Sequence, residues 1–192
     1  MSREALDALK GVRTPVTMPT KQRRSLDERF FVRFPRLARS VSSLWSRLPP
    51  HSRLRRAFLA RAIGRGFAAA NRRDFDVVVL LLEPDFEFQI ADSPASRFLP
   101  PDLLGVHRGP EGYRRVWEMG LEGPDYKIYC DEVFDLGDRV LLVGRQAARG
   151  KASGISLDLP LFQLYTLRRG LPVRQVDFSD AEEALEAMGL RE

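Results

Sequence analysis

Hydrophobic positions in the first third of the chain recur every three to four residues. Leu26, Phe30, Phe31, Phe34, Leu37, Val41, Leu44, Trp45 and Leu48 keep helical spacing, and Arg29, Arg33, Arg36, Arg39 and Arg47 mostly take the other side. Ser25 with Glu28 three residues on forms a capping box, and the Asp27–Glu28 pair suits the positive end of a helix. Pro35 kinks this helix or splits it in two, and Pro49-Pro50 stops it. Ahead of it, residues 1–24 carry Pro15, Pro19 and the cluster Lys21, Arg23 and Arg24, with little apolar periodicity after Leu9. They read as a mobile basic lead-in. A second helix is predicted from Ser52 to about Ala70 on Leu54, Phe58, Ala62 and Phe67, and Asp74 caps a brief helix that ends before Pro84.

Period two follows. Phe86, Phe88 and Ile90 alternate with Glu87 and Gln89 as a first strand. Residues 91–106, with three prolines and Gly105, read as a loop, and Gly109-Pro110 opens a helix whose apolar side is Tyr113, Val116, Trp117 and Met119. Strands are then predicted over 126–136, 140–149, 155–167 and 173–178, with turns at 137–138, 150–154 and 169–170. Pro160 marks a bulge or bend. Ser179 or Asp180 caps a closing helix that Gly189 ends. Helices first and antiparallel hairpins last make an α+β class. The chain thus divides into a lead-in (1–24), a basic amphipathic helical extension (25–50) and an α+β domain (51–192).

Composition narrows the picture. At 192 residues the chain can bury one substantial core but not two full domains. Its longest apolar run, 77–82, is far short of a membrane span. No uninterrupted apolar run follows the first basic residues, so no cleaved secretion signal is expected. With a single cysteine, Cys130, no intrachain disulfide can form, and a cytoplasmic location is the expectation. The net charge of +5 conceals an asymmetry: residues 1–73 hold 18 Lys/Arg against 4 Asp/Glu, and the remainder 13 against 22. A basic arm on an acidic body suggests that the arm contacts something anionic. That partner is the body itself, the body of a second subunit, or an anionic lipid or nucleic acid surface; the alternative is a solvated basic face.

Five segments carry a family resemblance: 71–76 into 83–86 (NRRDFD, EPDF), 107–113 (HRGPEGY), 135–140 (DLGDRV), 150–154 (GKASG) and 184–190 (ALEAMGL). In this order they resemble the SnoaL-like polyketide-cyclase group of the nuclear transport factor 2-like superfamily. The resemblance spans residues 55 to 190 and leaves 1–50 uncovered. It implies a cone-shaped half-barrel packed on helices, a cavity between them, and often a dimer through the sheet. Members include isomerases, cyclases, dehydratases, epoxide hydrolases and proteins without known activity, so the fold does not give the function. Catalytic members generally use an acid/base carboxylate, histidine or tyrosine inside the cone, where desolvation raises a carboxyl pKa into a useful range.

The candidates for that role are His107, Asp158 and Asp177. His107 stands at the mouth of a helix; it is either a base facing the pocket or a ring bonded to backbone that shapes the loop. Asp158 interrupts Leu157, Leu159 and Leu161, and alternation turns it away from them, with solvent the simpler destination. Asp177, between Val176 and Phe178, invites the same argument. Gln163 and Tyr165 share a strand face opposite Phe162, Leu164 and Thr166, and Pro160 leaves open which face looks inward. If theirs does, an amide and a phenol can orient a ligand carbonyl or hydroxyl. Phe88, Tyr113 and Trp117 are candidate pocket wall. Arg145 either binds a ligand carboxylate or snorkels from the outer face.

With His51, His107 and one cysteine, no standard zinc site is expected, and neither a phosphate-binding loop nor a dinucleotide fingerprint appears. No cofactor is implied. The epoxide-hydrolase Asp-Arg-Asp constellation cannot be placed. The sequence therefore points to a pocket for a small apolar molecule without a clear catalytic dyad, with a cofactor-independent isomerase, cyclase or hydrolase acting by acid/base chemistry on a polyketide- or steroid-like substrate as the alternative. A homodimer is the expected assembly. Residues 25–48 could also lie on an anionic membrane surface, whereas nucleic acid binding is not expected of a chain with an acidic body.

Overall fold

A computed structural model of the chain describes residues 12–20, 23–91, 101–120, 126–149 and 156–189. The expected turn at 150–154, most of the loop 91–106 and residues 1–11 of the lead-in lie outside the described residues. The elements run β1 (Arg13–Pro15), α1 (Leu26–Arg33), α2 (Pro35–Ser46), α3 (Arg53–Asn71), α4 (Phe75–Val78), β2 (Glu87–Ile90), a single 3-10 turn (Pro101–Leu103), β3 (Val106–Arg108), α5 (Gly109–Gly120), β4 (Lys127–Asp135), β5 (Arg139–Arg149), β6 (Ser156–Arg168), β7 (Leu171–Phe178) and α6 (Ala181–Ala187). The α+β class and the succession of helices and strands agree with the sequence pattern.

Local chemistry explains the helix ends. The Ser25 N–H donates to Glu28 Oε2 at 2.7 Å, closing the predicted capping box of α1. Pro35 splits the arm rather than kinking it: Phe34, the residue before it, leaves helical geometry at φ −125° and ψ 66°, and Pro35 then opens α2. Asp180 caps α6 by accepting from the Glu182 and Glu183 N–H groups.

The seven strands form one open mixed sheet in the order β1-β4-β5-β6-β7-β2-β3. Only β2 and β7 run parallel; every other neighbouring pair is antiparallel. The pairing of β5 with β6 is continuous from Arg139↔Thr166 to Arg149↔Ser156, so Pro160 bends nothing out of register. One correction concerns the lead-in, since Arg13–Pro15 is an ordered edge strand, paired Arg13↔Phe134 through Pro15↔Glu132. Proline is tolerated there because an edge strand leaves one row of N–H groups without a ladder partner. Val16 and Met18 continue inward and pack on the core under α3.

Both faces of the sheet are covered. Leu141, Phe162, Leu164 and Phe178 pack against Ala184, Leu185 and Met188 in and beside α6. Ile128, Cys130, Val140, Leu142 and Leu161 pack against Phe67 and Ala70 of α3. Around β2, Phe86 and Phe88 pack with Leu82, Leu103 and the α5 residues Tyr113 and Val116. The arm lies over the α3 side and clasps the β6–β7 turn, where Ser42 Oγ donates to the Gly170 carbonyl at 3.0 Å. Gly170 has φ +77°, and a Cβ there would collide with the Ser46 side chain, so the turn requires glycine twice over.

Candidate functional site

Cross-strand register builds the site. One row of facing residues runs Val140, Tyr165, Gln175, Phe88 and His107 across β5, β6, β7, β2 and β3. The next runs Leu142, Gln163, Asp177 and Ile90. The alternate residues, Leu141, Leu164 and Val176, belong to the α6 side, so these two rows look towards α3 and α5. There the fold leaves a cavity of about 440 Å³. Its walls are Phe58, Leu59, Ala62, Ile63 and Phe67 of α3, residues 77–78 and 80–82, Tyr113 and Trp117 of α5, Ile128, Val140, Leu142, Gln163, Tyr165 and Leu167 of the sheet, and Phe31, Ala38, Val41 and Ser42 of the arm.

Most of that wall is apolar; Asp27, Glu28, Ser42, Arg61 and Arg65 line its arm and α3 side, and a second, neutral polar group lies between the sheet and α5. Gln163, Tyr165, Tyr113 and Trp117 all line the cavity. The phenols of Tyr113 and Tyr165 interact with each other, and the Tyr113 ring meets Trp117 edge-on with centroids 6.0 Å apart. Burial, followed by the charge of Asp177, pushes the Tyr113 phenol well above its usual pKa. Burial, then the neighbouring Tyr113 and the charge of Asp177, does the same to Tyr165. Both are therefore neutral hydroxyls at neutral pH, able to donate or accept.

Asp177 stands behind Gln163 rather than on the cavity wall. Its Oδ2 accepts from Gln163 Nε2 at 3.0 Å and its Oδ1 from Gln175 Nε2 at 2.7 Å. Desolvation raises its pKa to about 7, against the lowering effect of the Gln175 and Gln163 hydrogen bonds. By accepting one N–H of the Gln163 amide, the carboxylate orients the side chain and leaves its carbonyl oxygen and second N–H to other partners. Alternation alone makes solvent the simpler destination for Asp177. The structure overturns that expectation, because the face opposite Val176 and Phe178 is the inner one.

Other candidates fall elsewhere. Asp158 and Arg145 are outside the cavity, on the far stretch of the β5–β6 hairpin. Asp158 is 62% exposed in its side chain and pairs with Arg145 at 3.3 Å. The Arg145 guanidinium lies 4.0 Å from the centre of the Tyr129 ring. A pocket role for either is corrected by register: Arg145 lies opposite Pro160, on the face of Leu141 and Val143 rather than that of Leu142. His107 does not reach the cavity wall; its Nε2 lies 3.3 Å from the Leu103 carbonyl and its ring beside Phe88, 6.1 Å between centroids. That is the loop-shaping geometry. Phe88 is buried behind Tyr113, with ring centroids 5.2 Å apart, and supports the wall without forming it. Cys130 is buried, and burial pushes its thiol up to about 12, away from thiolate chemistry.

The cavity reaches solvent beside Arg61, a lining residue whose side chain is 68% exposed. There the arm and α3 are joined by charge: Asp27 pairs with Arg65 and lies 3.8 Å from Arg61, and the buried Glu28 pairs with Arg72 at 2.8 Å. Farther along, Arg24 holds Asp74 through two hydrogen bonds of 2.7 and 2.5 Å and reaches Asp76 at 2.8 Å, and Arg39 pairs with Glu83. Of the partners open to the basic arm, its own body is one. Sequence reasoning missed the arm as cavity wall and missed Gln175. The helical period identified an apolar face on the arm but not what that face covers, and Gln175 became visible only through its register with Tyr165.

Comparisons with known proteins agree with this geometry. Residues 63–175 match the family model of the SnoaL-like domain. No curated protein matches the chain. Among solved structures, the fold is similar to TerC, co-crystallized with polyporic acid, at 21% identity and a TM-score of 0.52, over 67% of this chain and 95% of that one. It is also similar to an NTF2-like protein of unknown function from Burkholderia pseudomallei K96243, at 21% identity and a TM-score of 0.53, over 65% and 92%. A third is an NTF2-like protein from Burkholderia thailandensis E264, at 22% identity and a TM-score of 0.51, over 66% and 94%.

Proposed function

This chain belongs to the SnoaL-like domain family, and from that premise we propose that its cavity binds a small, mostly apolar molecule through one hydroxyl or carbonyl group. The observation that carries the reading is the wall itself. About 440 Å³ is lined mostly by aliphatic and aromatic side chains, with the neutral groups Gln163, Tyr165 and Tyr113 gathered between the sheet and α5, and the charged Asp27, Glu28, Arg61 and Arg65 kept to the arm and α3 side. Apolar area supplies affinity, and a few convergent polar atoms fix orientation. A fully charged ligand is disfavoured at that end, since neither phenol ionises near neutral pH and Asp177 is withheld behind Gln163.

The test is a binding titration followed through Trp117 fluorescence in a Trp45→Phe background, which leaves one tryptophan, at the cavity wall. The probes are hydroxylated or carbonyl-bearing apolar compounds, with polyporic acid among them because it was co-crystallized with TerC. Gln163→Leu and Tyr165→Phe should each weaken a bound probe by roughly tenfold, the usual effect of losing one neutral hydrogen bond. Unchanged affinity in both variants would sink the assigned orientation. Failure of every probe, together with no compound released from purified protein on denaturation, would sink the binding reading.

One observation favours a second reading, a cofactor-independent isomerase, cyclase or hydrolase. A carboxyl group with a pKa raised to about 7 is suited to moving protons at neutral pH. In that case Asp177 is the proton-transfer group, and Gln163 must turn aside to admit the substrate. Turnover would then show a pH limb near 7 that disappears in Asp177→Asn, and a limb unmoved by that substitution rules this role out.

A further inference from the structure

The inner face of the arm closes the cavity, and its outer face is unusual for a helix pair at a protein surface. Leu26 is 83% exposed and Leu44 62% exposed; Phe30, Phe34 and Leu37 between them are each about half exposed. Arg29, Arg33, Arg36 and Arg47 are interleaved with them, all exposed and without a carboxylate partner among the described residues. From Arg29 to Arg73 the chain contains no aspartate or glutamate. The two acidic residues of α1, Asp27 and Glu28, both turn inward, to Arg65 of α3 and to Arg72 just past its end. The outward strip is thus apolar and purely cationic over about two helices.

We propose that this strip is a docking surface for a bilayer bearing anionic lipids. Leucine and phenylalanine side chains enter the boundary between headgroups and acyl chains, and the arginines extend past them to lipid phosphates. No described helix is long and apolar enough to cross a membrane, so the contact runs along the surface. Charge also separates this occupant from others. A second copy joined strip to strip about a two-fold axis would set arginine against arginine. A nucleic acid duplex would use the arginines but would leave the leucines and phenylalanines in water. The inference is independent of which molecule the cavity takes.

Flotation of the full-length chain with vesicles tests it. Phosphatidylcholine vesicles containing phosphatidylglycerol are compared with pure phosphatidylcholine, at about 0.05 M and about 1 M salt, where the screening length falls to roughly 3 Å. The wild type should float with the anionic vesicles at low salt, at least tenfold more than with neutral ones, and largely release at high salt. Two variants divide the contact: Leu26→Ser/Leu37→Ser/Leu44→Ser removes exposed apolar groups, and Arg29→Gln/Arg33→Gln/Arg36→Gln removes exposed charge. Each should lower the floated fraction at least tenfold while its thermal melt stays within a few degrees of wild type. Absence of flotation by the wild type, equal flotation with neutral vesicles, or variants that float as the wild type does would each overturn the proposal. So would sedimentation in which the apolar variant dissociates an oligomer while vesicle binding persists, or retention of duplex DNA by a wild type that does not float.

Discussion

Asp177 shows how much one position can carry. Its carboxyl is raised from 3.8 to about 7 by burial, so the folded state holds a proton that the unfolded chain releases. The sign follows: stability conferred by the neutral form is complete below about pH 4, declines as pH rises through 7, and levels off above. Asp177→Asn should therefore melt several degrees higher than wild type at pH 8.5 and close to it at pH 4.5, and equal shifts at both pH values would contradict the assignment. Arg55 makes the opposite kind of contribution. All five of its N–H groups are used, two on Asp135 at 2.7 Å each and the others on the Ser46, Leu48 and Gly137 carbonyls. Asp135→Asn leaves a buried guanidinium without its counter-charge and should cost roughly 3–5 kcal/mol in denaturant unfolding. Neither site was fully legible in the sequence. Alternation correctly places Asp177 opposite Val176 and Phe178, but it cannot tell which of two covered faces is the interior. Arg55 looks like one more residue of a basic surface, because its partner lies 80 residues away.

At the scale of elements, the arm is held by charge to the body at Asp74, Asp76 and Glu83 and to α3 through Asp27 and Glu28. Burial works against the charge of Asp74, but the Arg24 hydrogen bond and the Arg24 and Arg72 charges outweigh it and hold its pKa below the usual value. That stabilisation is present above the unfolded-state pKa near 4 and is lost as pH falls through the lower folded value. Acid should loosen the arm while relieving Asp177, so cleavage by an acid-active protease around 47–52 should rise below about pH 4 before the sheet unfolds. Arg24→Gln should bring that cleavage to neutral pH at a cost of about 1 kcal/mol in global stability, since Arg24 is partly exposed. Simultaneous melting of arm and sheet would argue against a separable clasp. Helices and long strands were legible here because each repeats its period several times, as over 25–48 and 155–167. The edge strand β1 was not, although Val12, Thr14, Val16 and Met18 alternate; two prolines and a basic cluster hide a pattern of only four positions.

The whole molecule joins a +14 segment to a −9 segment, an imbalance that counting charges along the chain is enough to reveal. What the sequence leaves open is the destination of the charge, and the arm divides it between its two faces. Inward arginines meet carboxylates, and outward ones meet none among the described residues. The cavity is foreshadowed only through the family resemblance, because its wall draws on the arm, α3, α5 and four strands, which no local window spans. The pairing of β1 with β4 has a consequence in time. Arg13 waits for Glu132, made 119 residues later, and Arg55 waits for Asp135. At roughly 5–20 residues per second a ribosome needs on the order of 6–24 s to deliver the first of those partners. Throughout that interval Arg13 and Arg55 are outside or leaving the exit tunnel without these partners. The edge strand is thus made long before the strand it pairs with, and for those seconds the nascent chain carries its basic stretch, without these carboxylates, past a charged ribosome.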